Sequence, residues 1–296
     1  LTGLPRETLE FMAKAYGNAK APFIRIGSGL SRYGNGAMST RAIVCLPALV
    51  GAYRKKGGGC FASTSTAGAF AMKEILREDF MGGPTRIINM NQLGEALNNP
   101  DNSPVQSLYV YHSNPAAITP DQNQVLRGLA REDLFTVVHE RFMTDTARYA
   151  DILLPSTSSL EHSDLYRSYG TYCIQRAKPA ISPVGESKPN WEVFGLMAEA
   201  MGFSEPFFRQ TADELIEHVL SLPNPLREGM DQKSFAAGKA VEIPLPPDAK
   251  AQFKTPSGKI EILNPKDPHP LPCYLSPYGG DYSFRLMTAP SLYALN

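Results

Sequence analysis

Nothing in this sequence staples the chain, anchors it or charges it strongly. Cysteine is scarce: Cys45, Cys60, Cys173 and Cys273 stand far apart, and no C-x-x-C occurs. That spacing excludes a disulfide framework and argues against a structural zinc site. It leaves reduced thiols that pack as small apolar side chains, as expected of a cytoplasmic protein. The five histidines are equally dispersed. No apolar run approaches the roughly 20 residues that cross a bilayer, so no direct membrane contact is expected. Lysine plus arginine and aspartate plus glutamate each number 29, a formal net charge of zero. With no polybasic block either, nucleic acid is excluded as a partner, and small molecules or protein surfaces remain. Walker A, G-x-S-x-G and H-E-x-x-H patterns are missing, and no nucleophile–base pair stands out. Any reactive group must then come from a cofactor or from residues outside this stretch. The chain starts at Leu1 within a helical region and ends on "FRLMTAPSLYALN" as a strand begins, which reads as a piece of a longer protein. The lack of a targeting signal therefore does not fix the parent protein's compartment.

What is present alternates. At 296 residues the chain has room for two domains without extra cross-links. Apolar runs at Phe23–Gly27, Thr85–Met90, Ser107–Tyr111, Leu134–Val138 and Asp151–Pro155 read as strands. Between them lie helical patterns at 37–56, kinked at Pro47, at 67–78, and at 119–132, with Thr119 as N-cap. Continuously apolar strands separated by helices predict a parallel sheet covered on both faces. Five such strands predict a doubly wound α/β domain over 1–165. From 166 to 281 the pattern becomes a smaller α+β portion. It contains helices at 189–202 and 211–220, the second opened by a Thr211/Glu214 capping box, and a hairpin turning at Pro256-Ser257-Gly258. A further boundary falls near 282.

In an open parallel sheet, ligands bind beyond the carboxyl ends of the strands. There this sequence offers "SGLSRYGNG", "HSNP", "HERFMTDT" and "PSTS". Gly27, Ser28, Gly29 and Arg32 suit phosphates, because backbone N–H groups can approach anionic oxygens and the guanidinium can pair with them. Ser113 and Asn114 offer donors and acceptors, and Glu140 can accept from a guanine edge or a ribose hydroxyl. Taken singly, each is also what an ordinary turn contains; "GSGLSR" lacks the third glycine of the dinucleotide fingerprint, which weakens an NAD-binding reading. Convergence on one rim is the stronger argument.

The block from Tyr109 to Gly202, with "GSGLSRYGNGAMSTRAIVCLPALVGAYRKKGGG" before it and "FKTPSGKIEI" after it, resembles the molybdopterin-dependent oxidoreductases of the dimethyl sulfoxide reductase and formate dehydrogenase type. The resemblance implies a central fragment of an enzyme holding molybdenum in two molybdopterin guanine dinucleotides. This chain would supply the domain that binds the guanosine part of one of them. It implies that Asn114 contacts the guanosine and that His139 and Glu140 face the same nucleotide. Thr144 and Asp151, in the "F-x-T-x-T-A…A-D-x-x-L-P" pattern, would take cofactor or structural roles, and Arg41 would stand on the substrate side. Residues 282–296 would open a C-terminal β-barrel domain. The family's cysteine quartet for an iron–sulfur cluster and its metal-ligating residue do not occur here. The isolated chain is therefore expected to be inactive, its partners being the other domains of the same protein, a small-molecule redox substrate and electron-transfer subunits. The alternative is a non-catalytic assembly domain of a related iron–sulfur respiratory subunit without molybdenum.

Overall fold

The computed structural model describes residues 2–62, 66–99, 103–168, 170–245 and 252–277. The chain opens with helix α1 (Arg6–Asn18), none of whose residues is buried. Strand β1 (Phe23–Arg25) follows, then helix α2 (Gly36–Leu49) and strand β2 (Gly59–Phe61). β1 and β2 pair in parallel and form a sheet of their own. Helix α2 stops two residues after Pro47, which has no N–H to continue the ladder. Gly36 is obligatory at its start, since a Cβ there would lie 1.8 Å from the Leu30 carbonyl oxygen.

Helices α3 (Met72–Leu76) and α4 (Leu93–Asn98) come next. Strand β3 (Ser107–Tyr111), helices α5 (Pro115–Ile118) and α6 (Gln122–Leu129), and strands β4 (Phe135–Glu140) and β5 (Ile152–Pro155) then complete a second parallel sheet, of order β3-β4-β5. The sequence predicted one five-stranded sheet, and two corrections follow. Thr85–Met90 forms no strand: Ile87 is 91% exposed and Met90 77%. Its apolar run has the composition of a strand, but no neighbouring strand takes up its backbone. The strand beside β1 is instead β2, three residues around Gly59-Cys60 that are too short to show a pattern. The doubly wound order is likewise not what β3, β4 and β5 show, because they run in sequence order across their sheet. Right-handed crossovers then fall on one face.

Both faces of β3 are nonetheless contacted by helices, while Ile152 and Leu153 of β5 remain 44% and 45% exposed. Side chains alternate along β3. Leu108 packs with Leu97, Val125 and Leu129 of α4 and α6, while Tyr109 and Tyr111 meet Phe194 at ring-centroid distances of 5.4 and 5.2 Å. Phe194 belongs to helix α7 (Asn190–Ala200), which comes from beyond the sheet. The capping helix of the predicted 119–132 pattern starts later than expected. Thr119 ends α5, and Asp121 precedes α6 with φ 53°.

The remainder is antiparallel. Strands β6 (Asp164–Arg167), β7 (Cys173–Ala177) and β8 (Val241–Glu242) pair in that order, flanked by helices α8 (Ala212–Ser221) and α9 (Gln232–Ala236). The Thr211/Glu214 capping box is formed. Ala69 and Phe70 pack into the core of this portion with Ile174, Leu215 and Val219. The turn at Pro256-Ser257 closes through Gly258 N–H to Thr255 O at 3.0 Å, without the flanking strands of a hairpin. Residues 282–296, expected to begin a barrel, lie outside the described residues.

The α4–α6 contact depends on two glycines. A Cβ on Gly128 would stand 2.4 Å from the Leu97 Cβ, and one on Gly94 2.8 Å from the Gln124 Cβ. Gly128→Val should therefore destabilise the chain by about 1–3 kcal/mol through overpacking. Urea unfolding should show the midpoint falling with no change in slope, and an unchanged midpoint would contradict the packing described here.

Candidate functional site

Parallel pairing brings three strand ends to one level. Tyr111 stands beside His139 and His139 beside Leu154, and Glu140 stands beside Pro155. The loops that follow are tied together by Asn114. Its Oδ1 accepts from the Thr146 N–H at 3.1 Å and from the Thr146 hydroxyl at 2.7 Å. That hydroxyl in turn accepts from Ala116 N–H at 3.0 Å. The loops after β3 and β4 are thus one unit, and Asn114 and Glu140 do share an edge. Asn114 Nδ2 reaches only Asp145 Oδ2, at 3.5 Å. It keeps donor capacity.

Glu140 ends β4 with its side chain 15% exposed. Oε1 accepts from the Arg141 N–H at 2.7 Å. Asp145 is exposed beside Asn114 and was missed in the sequence, although it stands inside "HERFMTDT". Ser113 is exposed on the same rim. His112, just before it, is held at φ 51°, a conformation that costs a non-glycine residue energy and aims the loop off the strand.

Two expectations change, those for His139 and Arg41, while Asp151 and Thr144 take the structural side of theirs. His139 does not face a ligand: it is 1% exposed, and its Nε2 meets the Lys188 carbonyl oxygen at 3.1 Å. Strand alternation turns it to the Tyr111 face, under the segment that crosses the sheet edge. Its Nδ1 is buried without a partner. Asp151 sits at the opposite edge, because it precedes β5. There its carboxylate accepts from Thr136 N–H at 2.6 Å and fastens the starts of two strands. Thr144 closes a turn, its hydroxyl accepting from Ala147 N–H at 3.2 Å. Arg41 is fully engaged: its guanidinium donates to the carbonyls of His269, Ile262 and Pro270 at 2.8, 3.0 and 2.5 Å, with Asp267 3.6 Å away. It clamps residues 262–270 onto α2 instead of meeting a substrate.

The glycine loop belongs to the β1–β2 sheet, so it is not on the β3–β5 edge as expected. Gly27, Ser28, Gly29 and Arg32 are exposed and lead into the start of α2. A Cβ on Gly27 or Gly29 would meet nothing within 4 Å, and neither has positive φ. The fold itself does not require these glycines, and their backbone stands open to an approaching group.

The wall after β5 is set by a residue the sequence reading passed over. Glu161 is 8% exposed and accepts from Ser158 N–H at 2.6 Å, Val184 N–H at 2.7 Å and the Ser187 hydroxyl at 3.5 Å. Ser158-x-x-Glu161 is the spacing of a capping box, and that is the signal that would have found it. Lys188 extends the same wall, its N–H donating to Pro155 O at 3.1 Å while its carbonyl accepts from Thr157 N–H at 3.3 Å. Behind the wall a cleft of about 560 Å³ opens between Ser156, Thr157, Trp191 and α8. No three His, Cys, Asp or Glu side chains among the described residues converge as metal ligands.

The hydrogen bonds from Ser158, then from Val184 N–H, hold the Glu161 carboxyl down to about 2 from 4.5. A depressed carboxylate contributes its stability above the unfolded value and loses it as pH falls through the folded one. The stability gap between the native chain and Glu161→Gln should thus be full at pH 7, shrink below pH about 4.5 and close near 2. Melting temperatures across this range test it; a gap constant from pH 7 to 3 would remove Glu161 from this role.

The molybdopterin oxidoreductase family model matches residues 7–200. "Probable oxidoreductase YoaE" of Bacillus subtilis is 44% identical over 273 residues, covering 90% of this chain and 39% of that protein. A Staphylococcus haemolyticus protein named "Putative formate dehydrogenase" is 28% identical over 275 residues, covering 85% of this chain and 27% of its own. Among solved structures, acetylene hydratase from Pelobacter acetylenicus gives a TM-score of 0.49 at 26% identity, over 64% of this chain and 26% of that one. The chain thus spans 39% or less of the length of these curated relatives. With a family model matched across most of the sheet and rim just described, the chain belongs to the molybdopterin oxidoreductases.

Proposed function

We propose that this chain is the part of a longer molybdenum-dependent oxidoreductase that grips the guanosine end of a molybdopterin guanine dinucleotide. The observation that carries the reading is the edge joined by Asn114, where an amide N–H and two carboxylates keep unspent hydrogen-bonding capacity. That donor set fits a nucleoside, whose ribose hydroxyls and guanine N–H groups are what carboxylates accept from. Asn114 Nδ2 donates, Glu140 and Asp145 accept, and Ser113 can do either. The open backbone at Gly27 and Gly29, at the start of α2, suits an anionic phosphate.

When bound, the molybdenum group would supply two-electron chemistry on a small-molecule substrate. Everything this chain does for it is binding and orientation: Asn114 holds two loops in register, and Glu161 and Lys188 fix the wall after β5. The second dinucleotide, the iron–sulfur cluster, the metal-ligating residue and contacts to electron-transfer subunits belong to the rest of the longer protein. The 296-residue chain alone is therefore inactive in redox assays, and its function is read by binding.

Calorimetric titration of this chain with GMP and GDP, beside AMP, is the test. Guanosine nucleotides should bind and AMP should bind at least about tenfold more weakly, a difference near 1.4 kcal/mol. Glu140→Gln, which keeps an acceptor for Arg141 N–H, should weaken GMP binding by a similar factor. Equal affinity for AMP and GMP, or an unaltered Glu140→Gln, would overturn the assignment.

A further inference from the structure

Residues 253–275 belong to no helix or strand, yet they lie along the length of α2. Phe253 meets the Tyr53 ring edge-on at a centroid distance of 5.7 Å, just past the end of that helix. Arg41, in its second turn, donates to the carbonyls of Ile262, His269 and Pro270. Asn35, which precedes its first residue, donates through Nδ2 to the Leu275 carbonyl at 2.7 Å. The segment therefore runs antiparallel to α2 as a strap. Pro265, Pro268, Pro270 and Pro272 remove N–H groups from it, so it builds no ladder of its own and its carbonyls are left for donors on the helix. Packing alone holds α2 sparsely: its buried residues are Gly36, Met38, Cys45 and Pro47, and Leu49 is 71% exposed. A helix with so few buried apolar contacts owes its place to its polar fastenings.

The strap ends where the glycine loop begins. The Leu30 carbonyl fills the space where a Cβ on Gly36 would stand, and Gly36 N–H donates to Tyr33 O at 2.9 Å. Within the loop, the Ser31 hydroxyl donates to Ser28 O at 2.7 Å and Tyr33 N–H to Leu30 O at 3.3 Å. Residues 28–33 and the first turn of α2 consequently shift as one piece. We infer that Arg41 and Asn35 are positioning residues, which through the strap set where the glycine loop presents its backbone; the inference rests on the reading that Gly27 and Gly29 receive the phosphates of a guanosine nucleotide. Neither side chain touches the nucleotide. Because coupling is reciprocal, a strap that places the loop is itself held more firmly when the loop is occupied.

The test separates phosphate binding from nucleoside binding. By calorimetry the native chain should bind GDP more tightly than guanosine. Arg41→Met should weaken GDP by about tenfold and leave guanosine unaltered, and Asn35→Ala should act in the same direction. Arg41→Lys, which still donates to a carbonyl, should recover part of the GDP affinity. In the native chain, saturating GDP should slow tryptic cleavage of the strap after Lys259, and guanosine should not. Melting temperatures fall in the variants whether the strap positions the loop or merely braces α2, so the ratio of GDP to guanosine affinity decides. A native ratio in both Arg41→Met and Asn35→Ala would make the strap a brace and overturn the inference. Should Arg41→Met not fold, Asn35→Ala and the GDP protection of the native strap decide by the same criteria. Equal native affinity for GDP and guanosine would remove this inference and leave the guanosine reading standing. If the native chain binds neither, the guanosine reading fails and takes this one with it.

Discussion

One acceptor holds the rim together. Asn114 Oδ1 takes two hydrogen bonds from Thr146, a residue that lies 0% exposed and whose hydroxyl also receives the Ala116 N–H. Without that oxygen, the Thr146 N–H and hydroxyl in the turn after β4 would both be left unpaired beneath the surface, and each such group is costly. The chain meets the cost with a single side chain. The result is a fixed spacing between the loop after β3 and the loop after β4. Every group proposed to touch the nucleoside is hung on that spacing, including Glu140 at the end of β4 and Asp145 in the turn itself.

A second set of bonds does for β5 what Asn114 does for the first two strands. The backbone of Lys188 joins Pro155 and Thr157 and also receives the His139 side chain. Glu161 draws the same two segments together from the other side. His139 and Glu161 are therefore wall-builders. Their burial makes them unavailable to a ligand, but it makes the wall rigid, and a rigid wall is what a binding site on loops needs.

How far the sequence revealed this depends on what kind of pattern each element left. β3, β4 and β5 were readable because each carries a short apolar run, although only β4 is largely buried and Ile152 and Leu153 of β5 are 44% and 45% exposed. Thr85–Met90 has the same composition and is exposed, because composition records what a segment can do and pairing requires a neighbour. β2 is invisible for the opposite reason: three residues, one of them glycine, make a strand only because β1 lies beside them. Among the candidate site residues, Ser113 and Asn114 follow β3 and Glu140 ends β4, positions that the order of strand and loop made legible. Asp151 stood among the candidate cofactor residues, although a residue preceding a parallel strand must lie at the amino edge. Arg41 was not legible in this way. An arginine at that position is chemically equal to a substrate clamp or a carbonyl clamp, and only residues 262–270, far away in sequence, decide between them.

The order β3-β4-β5 has a consequence for where a ligand can lie. With no reversal among these strands, no crevice opens from crossovers departing to opposite faces, which is how a doubly wound sheet makes its site. The crevice here is assembled from later chain instead. α7 crosses the face opposite α4 and α6 and brings Phe194 onto Tyr109 and Tyr111. Its first turn sets Asn190 and Trp191 in the cleft, beside the strand ends. The helix that seals the sheet is thus also the helix that shapes the cleft. Its position is guaranteed by aromatic packing that buries apolar surface whether or not a nucleotide is present. The cleft is consequently shaped by packing within the chain itself, so a ligand entering it would not have to assemble it.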